Sequence, residues 1–209
     1  SAYVMKNLIQ NYGEADMIGY WAATDIFSER IDSEELLFGG CGLISRDGIR
    51  KPVYFAFEHL NHMERYFLGK GQYSIVSGDG KGLFYICCHN YKHFNFRYYS
   101  VNENEIEIEQ QPRLYEDYES IQLSFRFNNV NDGIYQIKVF SVSQENGNVQ
   151  NEWGKLDYYN EPSTQEIEYL KTACQPRLTI RKAEAVNRTL VVETKLTAQE
   201  IQGIVVAEM

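Results

Sequence analysis

Residues 119–143, ESIQLSFRFNNVNDGIYQIKVFSVS, place apolar side chains at every second position, Ile121, Leu123, Phe125 and Phe127. A period of two is the period of a strand with one buried face, and no helix tolerates it. Asn131-Asp132-Gly133 breaks the run, and Ile134, Ile137 and Val139 resume it. The same grammar extends on both sides. QYSIVSGDGKGLFYICCHNY holds two strand-like runs around Gly78-Asp79-Gly80, a hairpin signal. QPRLTIRKAEAVNRTLVVETKLTAQEIQGIVVAEM closes the chain with three more. Regular short strands separated by turn residues predict an antiparallel β-sandwich over residues 71–209. One inserted helix is expected after the capping box Ser163-Thr164-Gln165-Glu166, with Ile167 and Leu170 as its apolar face.

The first 70 residues follow other rules. SAYVMKNLIQNYG carries Val4, Leu8 and either Met5 or Tyr12 at helical spacing and stops at Gly13. DMIGYWAAT is apolar on both faces, as a strand covered on both sides requires. After the loop LFGGCGLISRDG, Pro52 stands where a helix start tolerates it, and Phe55, Phe57, Leu60, Met63 and Phe67 predict a buried stripe that ends at Gly69. Helix, strand, loop and helix make an α/β unit. Its strand needs parallel neighbours that these residues do not supply, so further polypeptide is expected upstream.

Charge narrows the partners. The 209 residues include 20 Lys plus Arg against 29 Asp plus Glu, a net charge of −9 with no basic run. Direct contact between this segment and nucleic acid is therefore not expected. No apolar stretch approaches the roughly 20 residues that cross a bilayer. The four cysteines, at 41, 87, 88 and 174, match no zinc or disulfide spacing. They read as reduced thiols of a cytoplasmic protein, with Cys87 and Cys88 on opposite faces of one strand. His89 and His93 lie in strand and turn, where a four-residue interval implies no shared ligand geometry. No metal and no cofactor is expected.

GYWAATDIFSER, residues 19–30, sets an aromatic ring beside acids, the chemistry of a sugar-binding wall. Together with FGGCGLISRDGIRKPVYFAFEHLNHM it resembles the closing strand, loop and helix of the (β/α)8 barrel in glycoside hydrolase family 39, and is nearer to its bacterial β-xylosidases than to its α-L-iduronidases. NDGIYQIKVFSVSQENGNVQNEWGKL and STQEIEYLKTACQPRLTI resemble that family's C-terminal sandwich. The resemblance spans nearly the whole chain. It implies a mixed fold, a predominantly antiparallel β-sandwich (71–209) preceded by the last helix–strand–helix segment of a barrel (1–70).

Retaining glycosidases work with two carboxyl groups about 5–5.5 Å apart. The resemblance puts both on barrel strands that precede residue 1, so no residue here is assigned a catalytic role, and this polypeptide alone is not expected to hydrolyse glycosides. It implies instead a substrate-binding wall for a xylose-type carbohydrate. Trp21 would offer a ring face, and Asp25 and Glu29 would accept hydroxyl hydrogen bonds. Packing in the barrel core for Trp21, loop pinning for Asp25 and simple solvation for Glu29 are the competing roles. Three departures remove bulk or charge from that wall. Ser28-Glu29 replaces two adjacent acids, Ala22-Ala23-Thr24 replaces Thr-Phe-Ser, and Cys41 replaces a Phe. Losing a charged hydrogen-bond partner costs about 1.5–3 kcal/mol, enough to redirect recognition. Two whole-protein functions follow: a β-xylosidase-like glycosidase, or a bacterial AraC-family transcriptional regulator whose family-39-like module senses sugar. Either leaves the isolated segment with an uncovered surface, on which a homodimer is expected.

Overall fold

A computed structural model describes residues 1–26, 36–37, 40–102, 106, 113–159 and 161–209. The described residues form eight strands and four α-helices: α1 (Ala2–Gln10), α2 (Pro52–Asn61), β1 (Tyr66–Lys70), β2 (Ser74–Gly78), β3 (Leu83–His89), β4 (Ile121–Asn128), β5 (Gly133–Val142), α3 (Val149–Gly154), α4 (Thr164–Ala173), β6 (Arg177–Ala185), β7 (Thr189–Leu196) and β8 (Ile201–Glu208). Six strands form one sheet in the order β1-β2-β3-β8-β5-β6, and β4 pairs with β7 in a second. Every one of these pairings is antiparallel. The turn at 131–133 therefore carries the chain from one sheet to the other.

The alternation read from sequence builds the layer between the sheets. Phe127, Leu190 and Val192 from the small sheet meet Ile86, Tyr135, Ile137, Ile204 and Val206 from the large one. The rings of Phe84 and Phe127 lie 4.5 Å apart, centroid to centroid. Tyr135 is fully buried, and its hydroxyl donates to the Asn131 carbonyl at 3.2 Å. β3 is covered on both faces: Ile86 and Cys88 enter the inter-sheet core, whereas Tyr85 and Cys87 face a second core beneath α1 and α2. The two cysteines do point to opposite faces.

That second core joins Ala2, Met5 and Ile9 of α1 to Phe55 and Ala56 of α2 over Ile75, Cys87 and Ile201. The buried face of α1 thus runs through Met5 and Ile9, with Val4 only partly buried. Beside this core α2 approaches the sheet closely. A Cβ on Gly203 would stand 2.5 Å from His59 Nδ1 and 2.6 Å from the Tyr85 hydroxyl, so only glycine admits the helix there.

Three expectations are corrected. The second helix ends at Asn61 rather than running to 68; residues 66–70 form β1, paired with β2, and Phe67 is exposed there. His62 stops the helix, and Ser77 Oγ accepts from the Glu64 N–H at 2.7 Å, which turns the chain into the sheet. Two helices, not one, separate β5 from β6. The first, α3, is capped by Asn148, whose side chain accepts from the Gln150 N–H at 3.1 Å; the second carries the expected Ser163–Glu166 box. Both pack with Leu36 and Ile49 around Trp153, Leu170 and Cys174. Finally, residues 17–23 form no strand. Met17, Ile18 and Trp21 are solvent-exposed, and only Thr24 makes a bridge, a parallel one to Ile44. A strand needs a bonded neighbour along its length, and this run is bonded to the loop at 43–44 only at its end, through Ala22 and Ala23.

Candidate functional site

The loop 40–51 lies against residues 20–25 and is stitched to them by backbone. The Leu43 N–H bonds the carbonyls of Ala22 and Ala23 at 3.1 Å, and the Asp25 N–H bonds Ile44 O at 2.9 Å. The Tyr20 hydroxyl donates to Cys41 O at 2.7 Å. Burial, then the neighbouring Cys41 and Asp25, pushes that phenol's pKa up. Gly42 sits so close to Asp25 that a Cβ would fall 2.5 Å from its N and Oδ1. The Gly-x-Gly of this loop is thus a steric requirement at Gly42.

Asp25 is 4% exposed. Its Oδ1 accepts from the Gly42 N–H at 2.8 Å, and its Oδ2 stands 2.5 Å from Lys51 Nζ, which also donates to Gly40 O at 2.7 Å. Of the two roles the sequence allowed, loop pinning is the one these contacts perform. Trp21 is 68% exposed on the same short segment, and the Trp21–Ala22 peptide bond is cis. Glu29 lies outside the described residues. The structure therefore brings Asp25, Gly42 and Lys51 together beside an exposed Trp21.

Sequence reasoning missed Lys51. Its signal was its position: a lysine at the N-cap of α2 faces the positive end of the helix dipole and caps nothing. A cation placed there needs an anion from elsewhere in the fold, and Asp25 supplies it. Leu43 also lines a groove of about 840 Å³ whose apolar walls include Leu8, Tyr12, Phe57, Met63 and Phe67. Tyr12 and Phe67 stack at 5.0 Å on its border, and Lys70 Nζ caps the end of α1 by bonding Tyr12 O at 2.7 Å. Among the described residues no cluster of His, Cys, Asp and Glu has the geometry of a metal site, and no helix is long and apolar enough to cross a membrane.

A sequence profile of glycosyl hydrolases family 39 matches residues 1–189. The chain belongs to this family. A β-xylosidase of Geobacillus stearothermophilus is 23% identical over 209 residues, 100% of this chain and 37% of its own length. An uncharacterized HTH-type transcriptional regulator of Staphylococcus aureus (strain MRSA252) is 26% identical over 96% of this chain and 25% of its own length. The chain thus spans about a quarter of that regulator's length and just over a third of that β-xylosidase's. Among solved structures, a monomeric β-xylosidase from Caulobacter crescentus CB15 superposes with a TM-score of 0.80 at 18% identity, covering 100% of this chain and 41% of that one. The GH39 enzyme of Xanthomonas axonopodis pv. citri gives 0.78 at 18% identity. These likenesses show the fold of family 39: an antiparallel sandwich preceded by the helix–extended–helix segment that ends its barrel.

Proposed function

We propose that this family-39 chain is the wall and brace of a β-xylosidase-like glycosidase, with the acid/base and the nucleophile supplied by barrel polypeptide outside the 209 residues. The observation that carries the reading is the exposed apolar run, with Met17 86%, Trp21 68% and Ile26 69% exposed. Large apolar side chains exposed along one segment mark a surface suited to a partner. Barrel strands packed on it would complete the two-sided burial that the composition of the run asks for, and would also cover the groove bordered by Leu43. The segment through α2 then closes the barrel, and the sandwich from β1 onward supports it.

In that setting Trp21 presents a ring to a xylose-type sugar and Glu29 accepts from its hydroxyls. Asp25 and Lys51 act as positioning residues that hold the loop edge. When the barrel is absent, a second copy of the chain covers the same surface. The four free thiols, three of them buried, fit a cytoplasmic setting.

A second reading is favoured by the S. aureus relative: the same module, with its wall thinned at Ser28, Ala22–Thr24 and Cys41, senses a sugar for an AraC-family regulator instead of cleaving it. A chromogenic xyloside tests both. The 209 residues alone give no turnover. Turnover by this chain that disappears in Asp25→Asn would place a catalytic carboxylate here and end the proposal. In a longer polypeptide carrying this segment, xyloside hydrolysis selects the enzyme, and xylose binding without hydrolysis selects the regulator.

A further inference from the structure

Beside α2, the outer face of the large sheet keeps a cavity of about 380 Å³. The register of β8 decides what faces it. Gly203 pairs with Phe140 of β5, and Val205 pairs with Tyr85 of β3. These four residues therefore share one face, opposite the inter-sheet core that Ile204 and Val206 enter. His59, in the last turn of α2, comes down on that face at Gly203, and the Tyr85 hydroxyl reaches the same point from β3. Phe140, Val205 and Pro176 supply the apolar side of the cavity. The apolar face runs on beyond it to Leu178, which pairs with Phe140 and is 48% exposed.

The polar groups of this cavity are short of partners. His59 is 3% exposed, and its Nε2 is buried without a hydrogen bond. Tyr85 is 5% exposed, and among the described residues its hydroxyl bonds to no other group. Gln175 donates its side-chain N–H to Lys171 O at 2.8 Å and keeps its side-chain carbonyl as an acceptor. A buried polar atom left unpaired is destabilising. A residue that only seated α2 on the sheet would serve better without one, as Phe55 and Ala56 do one turn earlier. The charges of the described lining cancel within it. Arg50 Nη1 stands 3.6 Å from Glu58 Oε1, and the Arg50 guanidinium lies 4.7 Å from the centroid of the Tyr54 ring. Burial holds the His59 imidazole neutral by lowering its pKa to about 4, and keeps the Tyr85 phenol protonated by pushing its pKa up.

A neutral imidazole and a phenol each donate and accept, and a hydroxyl is the ligand group that answers both at once. An ionic ligand would bring a buried charge that this lining does not balance, since Arg50 and Glu58 already balance each other. The volume is that of a small-molecule site, and the Phe140 ring offers a surface to the C–H face of a sugar. We infer that this cavity binds a neutral polyhydroxy ligand of monosaccharide size, with its hydroxyls on His59 and Tyr85 and its C–H face on Phe140. The site includes neither Trp21 nor Asp25 and does not depend on the function assigned to them. If His59 and Tyr85 served only to pack α2 against β8, removing the Tyr85 hydroxyl would change stability and leave no ligand to lose.

Calorimetry and amide NMR of the 209-residue chain with glucose, glucuronate and glucosamine test the inference, because the three share a ring and differ in charge. Glucose should bind saturably and shift the amides of Tyr85, Phe140 and Gly203 while those of Trp21 and Asp25 stay in place. Glucuronate and glucosamine should each bind at least about tenfold more weakly. Tyr85→Phe keeps the ring and removes the hydroxyl, and should weaken glucose by about tenfold with an unchanged melting temperature. A flat glucose titration, shifts confined to residues 19–25, an equal response to either charged sugar, or undiminished binding by Tyr85→Phe would each overturn the assignment. So would a loss of binding in that variant matched by a fall in its melting temperature.

Discussion

β8 and the run 17–26 are both rich in large apolar side chains, and they end in opposite states. In β8, Ile201, Ile204 and Val206 are completely buried, because β3 bonds one edge, β5 bonds the other, and cores cover both faces. In the run, Met17, Trp21 and Ile26 face solvent, and backbone bonding to the loop at 43–44 reaches only the end of the run, from Ala22 to Asp25. A strand is thus made by its neighbours at least as much as by its own residues. The sandwich finds all its neighbours within the described residues, whereas the N-terminal extended segment does not.

Acid should separate the two regions most strongly. Burial, with His62 nearby, lowers the His59 imidazole to about 4, and burial, with Lys6 nearby, lowers His89 to about 4. Both belong to the well-packed region. Each stays neutral in the fold while the unfolded chain takes up protons below about 6.5. Stability should be full above that pH and fall as pH drops from 6.5 towards 4, by on the order of 3 kcal/mol per imidazole, then level off. Denaturant titrations across that window measure it, and a flat profile would show that neither imidazole is protected.

Truncation sharpens the comparison. Ile204→Ala should cost about 4 kcal/mol, since it empties a closed core. Met17→Ala removes a side chain of similar size and should change stability by less than about 0.5 kcal/mol. Equal costs in chemical denaturation would erase the distinction between the regions. The boundary between them is the loop held by Asp25. Lys51→Met leaves a buried carboxylate with only the Gly42 N–H and should cost about 3 kcal/mol. Adding Asp25→Asn should recover part of that loss, and a double variant no better than the single would refute the pairing.

The same contrast explains what could be read from sequence. β4 and β5 were legible because alternation states which face is buried, and Gly78–Gly80 and Ser163–Glu166 announce a hairpin and a helix start in local chemistry alone. β1 was not legible. Tyr66 and Phe67 continue the apolar spacing of α2, and the strand exists because β2 offers it an edge. α3 depends on the Asn148 cap within six residues of helix, too short for a period to show. For the site, the sequence marked Trp21 and Asp25 as a place of interest, but the partner of Asp25 comes from 26 positions onward in the chain and had no local trace except a lysine on the wrong end of a helix. The outward placement of Leu178 and Ile180 in the first half of β6 was also invisible, since alternation gives the period of a strand and leaves its orientation to the register.

Hydrogen exchange of the chain, diluted until any dimer has dissociated, tests the central claim most directly. If residues 17–21 are a strand lacking its neighbours, their amides should exchange almost as fast as in an unfolded peptide while those of Ile201–Glu208 exchange only on global unfolding. Protection of 17–21 equal to that of β8 in a proven monomer would show that the segment is already complete, and that nothing further is meant to dock there.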